Sequence, residues 1–248
     1  MPLCWRVFYG FLAREGCRAY TEAATFTLAD VDLERGAIKL DENKTDDPRR
    51  WALDPGVVRA LRAWIKVRED AAGAPLAPTD RLFVDEDGRP ILDTDHHADH
   101  FRAYLMAAAI DRPEIFQRSA SRLRIRVHDL RATFITVNLA NGKSETWISD
   151  RSGHKSSKEI QNYRRDARTV EELDLGTLDP LDVAIPELGA GGRNGGPEPA
   201  PGGSASGPAA GNGSEPSGAG GGNPGGSLGT VPVAMGAPLR RQDAGAPW

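Results

Sequence analysis

Residues 128–165, "HDLRATFITVNLANGKSETWISDRSGHKSSKEIQNYRR", contain the spacing from which the fold can be assigned. His128 and Arg131 stand three residues apart where a helix is predicted to begin, so their side chains share one face. His154 follows 23 residues after Arg131, and Tyr163 lies nine residues further on, among lysines and arginines. A tyrosine usually packs half-buried against apolar neighbours. The cationic setting of Tyr163 therefore calls for a chemical explanation.

The "HDLR" segment has the properties of an anion site. The start of a helix carries a positive partial charge, which favours an anion there. The guanidinium of Arg131 suits bidentate contact with a phosphate, and His128 can donate a hydrogen bond or move a proton near neutral pH. An H-x-x-R pair is nevertheless common by chance. Taken alone, it is better explained by a purely structural role of the two residues.

The charge of the chain is unevenly distributed. The net charge is −4, yet residues 112–168 hold 13 Lys or Arg against 6 Asp or Glu, whereas residues 1–111 hold 15 against 20. A basic face on an acidic body is typical of a protein that presents one surface to phosphates. A solvated helix face would explain the same charge run, so the composition alone leaves both interpretations open.

Composition divides the chain at about residue 186. Residues 186–248 hold 19 of the 28 glycines and 10 of the 18 prolines, which predicts a disordered tail. Residues 1–185 then form one domain, long enough for a proper core. Cys4 and Cys17 are expected to be buried thiols in a reducing compartment. No apolar run has the length of a membrane span or the pattern of a signal peptide, so we expect a cytoplasmic protein with no membrane partner.

Hydrophobic periodicity predicts a mainly α, α+β domain with one small antiparallel β element. The β element is expected within residues 36–54, as two strands around a polar turn. Asp54 and Pro55 are predicted to open a helix as its N-cap and first residue. The predicted helices cover residues 2–15, 20–28, 54–70, 93–110, 128–142, 144–153 and 156–169.

The spacing of His128, Arg131, His154 and Tyr163 resembles the catalytic motif of the tyrosine recombinase (phage integrase) family. The segment "EGCRAYTEAATFTLADVDLERG" is similar to the first box of the family, with Arg18 as its arginine and Glu22 as its acid. The segment "NKTDD" resembles the lysine-bearing β-hairpin of the family and places Lys44 at its tip. The resemblance runs from about residue 3 to about residue 175.

Two features depart from the family pattern. Arg18 and Glu22 are four residues apart, where three are usual, so one extra residue is expected in that turn. Family members usually also carry a separate helical N-terminal domain. This sequence is expected to lack it, because it starts where the catalytic domain should start. The resemblance thus implies an integrase-like catalytic domain over residues 1–185.

The resemblance also implies a chemistry for the six matching residues. Arg18 and Arg131 would bracket a DNA phosphate, with His128 and His154 as further donors. Tyr163 would attack the phosphate and form a covalent 3′-phosphotyrosine, with cationic neighbours favouring its phenolate and His128 accepting the proton. Lys44 would protonate the leaving 5′-oxygen. Every role has a side chain, so no metal or cofactor is expected.

The implied partners are double-stranded DNA and further copies of the chain, in a tetrameric synapse on DNA. Residues 169–185 are the candidate segment for exchange between neighbouring copies. The alternative is a catalytically impaired remnant or accessory DNA-binding module. A domain with 28 basic against 31 acidic residues can hold DNA only through residues 112–168, so binding is expected to be weak and salt-sensitive.

Two further patterns have ordinary explanations. In "DHHADH", His96 and His100 have the spacing of helical zinc ligands, with His97 between them. A solvated helix start explains these histidines better, because no third ligand is evident. Trp147 is expected to be a core residue rather than a DNA-facing aromatic.

Overall fold

The computed structural model describes residues 1–41, 48–91, 95–120 and 122–189. Within these ranges the chain forms nine α-helices, three strands and three short 3₁₀ turns. None of the described helices is long and apolar enough to cross a membrane. The helices are α1 Leu3–Glu15, α2 Pro55–Ala72, α3 Asp95–Ala107, α4 Asp129–Ala140, α5 Glu145–Ser152, α6 Ser157–Gln161, α7 Arg164–Glu172, α8 Leu181–Ala184 and α9 Pro186–Gly189.

The three strands form one antiparallel sheet in the order β1-β2-β3, with β1 at Val31–Asp32, β2 at Ala37–Leu40 and β3 at Arg49–Ala52. In its register, Ile38 of β2 lies opposite Trp51 of β3. The predicted strands in residues 36–54 are therefore confirmed as β2 and β3. The two-residue strand β1 was not predicted, because it is too short to show any alternation.

The buried apolar side chains form two clusters, which we call the large cluster and the small cluster. The large cluster is the main hydrophobic core, and it is built on α1, α2 and the sheet. Helix α1 buries most of its length and ends at Gly16, which adopts a left-handed conformation with φ 70°. Helix α2 begins as predicted, since the Asp54 carboxylate accepts hydrogen bonds from the backbone N–H of Gly56 and Val57. The aromatic members of the large cluster are Trp5, Phe8, Tyr9, Phe11, Phe26, Trp51, Trp64, Phe83 and Phe101.

The small cluster lies among α4, α5, α6 and α7 and has four buried members: Phe134, Ile135, Ile148 and Ile160. Trp147 packs against it with its ring stacked on Phe134, the centroids 5.9 Å apart. The Arg151 guanidinium covers the Trp147 ring at 3.6 Å. Trp147 is thus a half-buried packing residue, as expected.

Two predicted helices differ from the structure. Residues 20–28 form 3₁₀ turns at Ala23–Thr25 and Leu28–Asp30, because Thr27 and Asp30 cap each other's backbone and begin a new turn there. Residues 156–169 form α6 and α7 in place of one helix. The break lies at Tyr163, whose N–H bonds to the Ile160 carbonyl while its own carbonyl accepts from Ala167. Tyr163 therefore lies at the start of α7.

The C-terminal strap, residues 173–189, returns across α1 and α2. It places Leu181, Ile185 and Leu188 in the large cluster, so packing continues past the predicted boundary at residue 185. Arg59 of α2 holds Asp182 of the strap through two hydrogen bonds of 2.6 and 3.0 Å. Exchange of residues 169–185 between copies stays a prediction. The predicted tail lies almost entirely outside the described residues, from residue 190 onward.

Candidate active site

The turn that follows α1 holds Arg18 and Glu22. Two backbone hydrogen bonds shape it, from Ala23 to the Arg18 carbonyl and from Ala24 to the Ala19 carbonyl, both 2.9 Å. Each spans five residues, so the turn is wider than an α-helical one and has room for the extra residue noted in the sequence. The Glu22 carboxylate accepts from the Arg18 N–H at 2.9 Å and from Arg18 Nη1 at 2.5 Å.

Glu22 is fully buried and forms an ion pair with a second arginine. Its Oε1 lies 2.7 Å from Nη2 of Arg49, the first residue of β3. One carboxylate therefore compensates two guanidinium groups. With the nearly buried Arg131 in the same neighbourhood, three arginines face a single acid, and the site keeps an excess of positive charge.

Helix α4 brings His128 and Arg131 to this site. His128 is its N-cap residue, and Arg131 lies in its first turn and is 3% exposed. Arg131 Nη1 donates to the carbonyl of Gly16 at 2.7 Å, and its Nη2 lies 3.3 Å from His154 Nδ1. Burial lowers the pKa of Arg131 to about 10, so it stays protonated at neutral pH. Arg131 thus joins the end of α1 to the segment that carries His154.

His154 follows α5, which ends at Gly153 in a left-handed conformation. Its Nδ1 lies 2.8 Å from the Ser152 hydroxyl and accepts from Arg131, whose guanidinium can only donate. The proton of the neutral ring is therefore assigned to Nε2. Burial and the charges of Arg131 and Arg18 lower the pKa of His154 to about 3, so the ring is neutral and Nε2–H is a donor at physiological pH.

His128 is also neutral near pH 7. Partial desolvation and the charges of Arg131 and Arg126 lower its pKa, although the residue is exposed. A neutral imidazole has a free acceptor nitrogen, so His128 can take up a proton. Proton acceptance is the role that the family resemblance implies for His128.

Tyr163 is half-buried and packs against the small cluster. Burial raises the pKa of its phenol, and the charge of Arg131, which acts in the opposite direction, does not overcome this effect. Arg131 acts in the direction that favours the phenolate, but the net shift of the Tyr163 pKa is upward. The physical reason is desolvation, which disfavours the charged form more than a nearby arginine favours it.

Of the six predicted residues, five lie among described residues: Arg18, His128, Arg131, His154 and Tyr163. Electrostatic influence links them, since Arg18, His128 and Arg131 all lower the pKa of His154, and Arg131 lowers that of Tyr163. Lys44 lies outside the described residues. Two further residues of the site were not predicted from the sequence. Ser152 contacts His154, and Arg49 pairs with Glu22, the partner of Arg18.

The alternative of a histidine metal site gains no support from the described side chains. The ring of His97 packs between Trp5 and Tyr20, with centroid distances of 5.4 and 5.2 Å. The side chain of His96 lies outside the described part. Among the residues that the structure describes, no three His, Cys, Asp or Glu side chains are grouped to hold a metal ion.

These features define a mainly helical domain with an integrase-like fold. The family model described as "Phage integrase family" matches residues 3–169. The chain therefore belongs to the phage integrase (tyrosine recombinase) family.

Solved structures share the fold at low identity. The XerH site-specific recombinase, bound to a palindromic difH substrate in a post-cleavage complex, is 21% identical with a TM-score of 0.50, over 70% of this chain and 47% of that one. The XerA recombinase is 23% identical with a TM-score of 0.48, over 76% and 56%. The chain thus spans about half the length of these structures. No curated protein matches the chain.

Proposed function

We propose that this chain is a site-specific DNA strand transferase that cleaves and rejoins DNA through a covalent bond between Tyr163 and a 3′-phosphate. The observation that supports the proposal most is the contact of Arg131 Nη2 with His154 Nδ1. It joins two motif residues far apart in sequence into one cationic site, and it leaves His154 Nε2 as a donor. The XerH recombinase, whose solved structure is a complex with its difH substrate, supports DNA as the substrate.

Charge neutralisation is the first task of the site. A phosphodiester resists attack because negative charge increases on its non-bridging oxygens. Arg18 and Arg131 would donate to these oxygens, together with Nε2–H of His154. The Gly16 carbonyl and Glu22 hold the two guanidinium groups in place before any substrate binds. Preorganised donors need no rearrangement during the reaction.

The attack itself would proceed by general base catalysis. Because the pKa of Tyr163 is raised, the resting group is the neutral phenol. Its Oη would form a bond to phosphorus while the phenolic proton passes to neutral His128. The bond from phosphorus to the 5′-oxygen breaks, and that oxygen takes a proton from Lys44. A 5′-hydroxyl reverses these steps and reseals the strand without ATP.

A trapping experiment tests the proposal. Nicked duplexes with randomised sequence around the nick lose the fragment carrying the 5′-hydroxyl after cleavage, so covalent adducts accumulate and resolve on a denaturing gel. At low ionic strength we expect adducts from the wild-type chain and from the control Tyr104→Phe, and none from Tyr163→Phe. DNA affinity should be nearly equal in all three, since only a hydroxyl is lost.

The outcomes separate the proposal from its alternative. An adduct with Tyr163→Phe would overturn the assignment of the nucleophile. If the chain binds the nicked duplexes but forms no adduct, the result would favour an accessory DNA-binding module. Adduct formation should be unchanged by EDTA, because each charge-neutralising role has a side chain in the proposal. Tetrameric assembly on DNA belongs to the same proposal and is tested by sedimentation of the trapped complex.

A further inference from the structure

Arg49 is an arginine in a position where charged residues are rarely found. It opens β3, whose side chains alternate between buried and exposed, and it shares the buried face with Trp51. Arg49 is 7% exposed, whereas its neighbour Arg50 points to solvent with 77% of its side chain exposed. Arginine is almost never fully buried unless it is paired, so its contacts must explain its place.

The guanidinium of Arg49 contacts two separate parts of the site. Nη2 forms an ion pair with Glu22 at 2.7 Å, and Nη1 donates to the carbonyl of Arg151 at 2.7 Å. The Arg151 carbonyl is at the C-terminal end of α5, where the helix has a negative partial charge. Arg49 therefore forms an ion pair with a carboxylate and a hydrogen bond to a helix end at once, while its Nε and Nη2 make no hydrogen bond to a described residue.

Gly153 shows how closely the guanidinium packs against the segment that leads to His154. A Cβ atom added to Gly153 would lie 2.5 Å from Arg49 Nη1 and 2.7 Å from its Cζ. The φ of 67° at Gly153 also disfavours any other residue. The backbone immediately before His154 thus lies directly against Arg49.

We propose that Arg49 is a positioning residue of the site, which fixes His154 through the end of α5 and Arg18 through Glu22. The inference rests on the proposed function of the site as a strand transferase. Arg49 is buried behind Glu22 and Gly153, so it acts through these neighbours and not by contact with the phosphate.

The first test measures adduct formation with nicked duplexes. Misplacement of catalytic groups by about 1 Å costs on the order of 10²-fold in rate, and we expect a loss of this size for Arg49→Gln with DNA affinity nearly unchanged. Arg49→Lys keeps the charge but has one nitrogen for two acceptors, so it should recover only part of the rate. Arg50→Gln is the matched control and should behave as the wild type.

The double variant Arg49→Gln/Glu22→Gln addresses folding. It removes both charges of the buried pair, so it avoids a carboxylate left with fewer partners. If Arg49 acts partly through Glu22, the loss of rate in the double variant should be smaller than the product of the two single losses. Equal rates for Arg49→Gln and Arg50→Gln would overturn the proposal, and so would full recovery with Arg49→Lys.

A second readout does not depend on activity. The charge of Arg49 contributes to the low pKa of His154, and its packing fixes the ring. NMR titration of the His154 ring without DNA should therefore show a higher pKa in Arg49→Gln than in the wild type and in Arg50→Gln. An unchanged titration would contradict the positioning role. If the wild type forms no adduct, the proposed function fails, and this titration still decides whether Arg49 positions His154.

Discussion

The large and small clusters hold the two sides of the candidate site in different ways. The large cluster supports Arg18, Glu22 and Arg49 on α1, the sheet and their turns, with the buried carboxylate of Glu22 bonded on both sides. The small cluster has four buried members and supports His154 and Tyr163 on short, polar helices. Buried apolar surface sets the free energy of local opening. The side that carries the proposed nucleophile Tyr163 should therefore open more readily than the side that holds Arg18, which is proposed to bind the phosphate.

The largest expected effect comes from a matched pair of core substitutions, Phe8→Ala in the large cluster and Phe134→Ala in the small one. Both phenylalanines are fully buried, and each substitution should cost about 3–5 kcal/mol of stability. Hydrogen exchange should distinguish them. Phe8→Ala should speed exchange throughout the domain, whereas Phe134→Ala should act mainly on α4 to α7. Equal acceleration of α1 and α2 by both variants would show that the two clusters open as one unit.

The next effect concerns the contact that joins the two sides. Arg131 reaches the Gly16 carbonyl and His154 Nδ1 with two nitrogens, and a lysine cannot reach both. We expect Arg131→Lys to slow adduct formation by about 10²–10³-fold, the usual cost of losing a preorganised donor. Lys66→Gln, an exposed change on α2, is the control. A loss of less than about threefold would mean that the two sides are aligned without Arg131.

Glu15 makes the large-cluster side sensitive to pH. It is buried at the end of α1 and accepts from Trp51 Nε1 and the Asp54 N–H, both at 2.9 Å. Burial raises its pKa to about 7, so the folded protein binds more protons than the unfolded chain between pH 4.5 and 7. The stability that Glu15 contributes at low pH is therefore lost as the pH rises through this range.

Denaturation of the wild type and Glu15→Gln at several pH values measures this effect. As the pH rises from 4.5 to above 7, the unfolding free energy of the wild type should fall by about 3 kcal/mol relative to that of Glu15→Gln. His128 and His154 titrate in both chains, so their contributions cancel in the difference. A constant difference across this range would show that folding does not shift the pKa of Glu15.

The smallest effect compares two helix caps. Asp54 caps α2 beside the large cluster, and Ser144 caps α5 beside the small one, where its hydroxyl accepts from the Trp147 N–H at 3.1 Å. Each alanine substitution should cost about 1 kcal/mol. Asp54→Ala should lower the midpoint of global unfolding, whereas the cost of Ser144→Ala should appear first as faster hydrogen exchange in α5. A loss confined to α2 in Asp54→Ala would contradict the comparison.

Much of the candidate site could be predicted from the sequence, because most of the motif residues keep the family spacings. The spacing of His128, Arg131, His154 and Tyr163 predicted the fold that the structure has. The state of Tyr163 could not be predicted in this way. Its pKa depends on the balance between burial and nearby charge, and burial is set by the break between α6 and α7, which serine caps and periodicity do not reveal.

The burial of Arg49 could have been predicted from the sequence, whereas the burial of Glu15 could not. The strand "RRWA" places residues 49 and 51 on the same face, so a buried Trp51 implies a buried Arg49. Glu15 looks like an ordinary polar residue at a helix end. Its burial depends on the sheet and the start of α2 folding back over α1, which is a long-range contact that no local pattern encodes.

The C-terminal strap packs closely against two glycines, one in each of the helices that it crosses. A Cβ atom on Gly10 would lie 2.3 Å from Leu181 Cδ1, and one on Gly56 would lie 2.9 Å from the backbone nitrogen of Leu181. Glycine within a helix costs about 1 kcal/mol relative to alanine, so Gly10 weakens α1 in order to admit the strap. The match to the family ends at residue 169, but the folding unit does not. A gene fusion that joined this domain to a different segment after residue 169 would separate α1 from the C-terminal strap, against which its Gly10 packs.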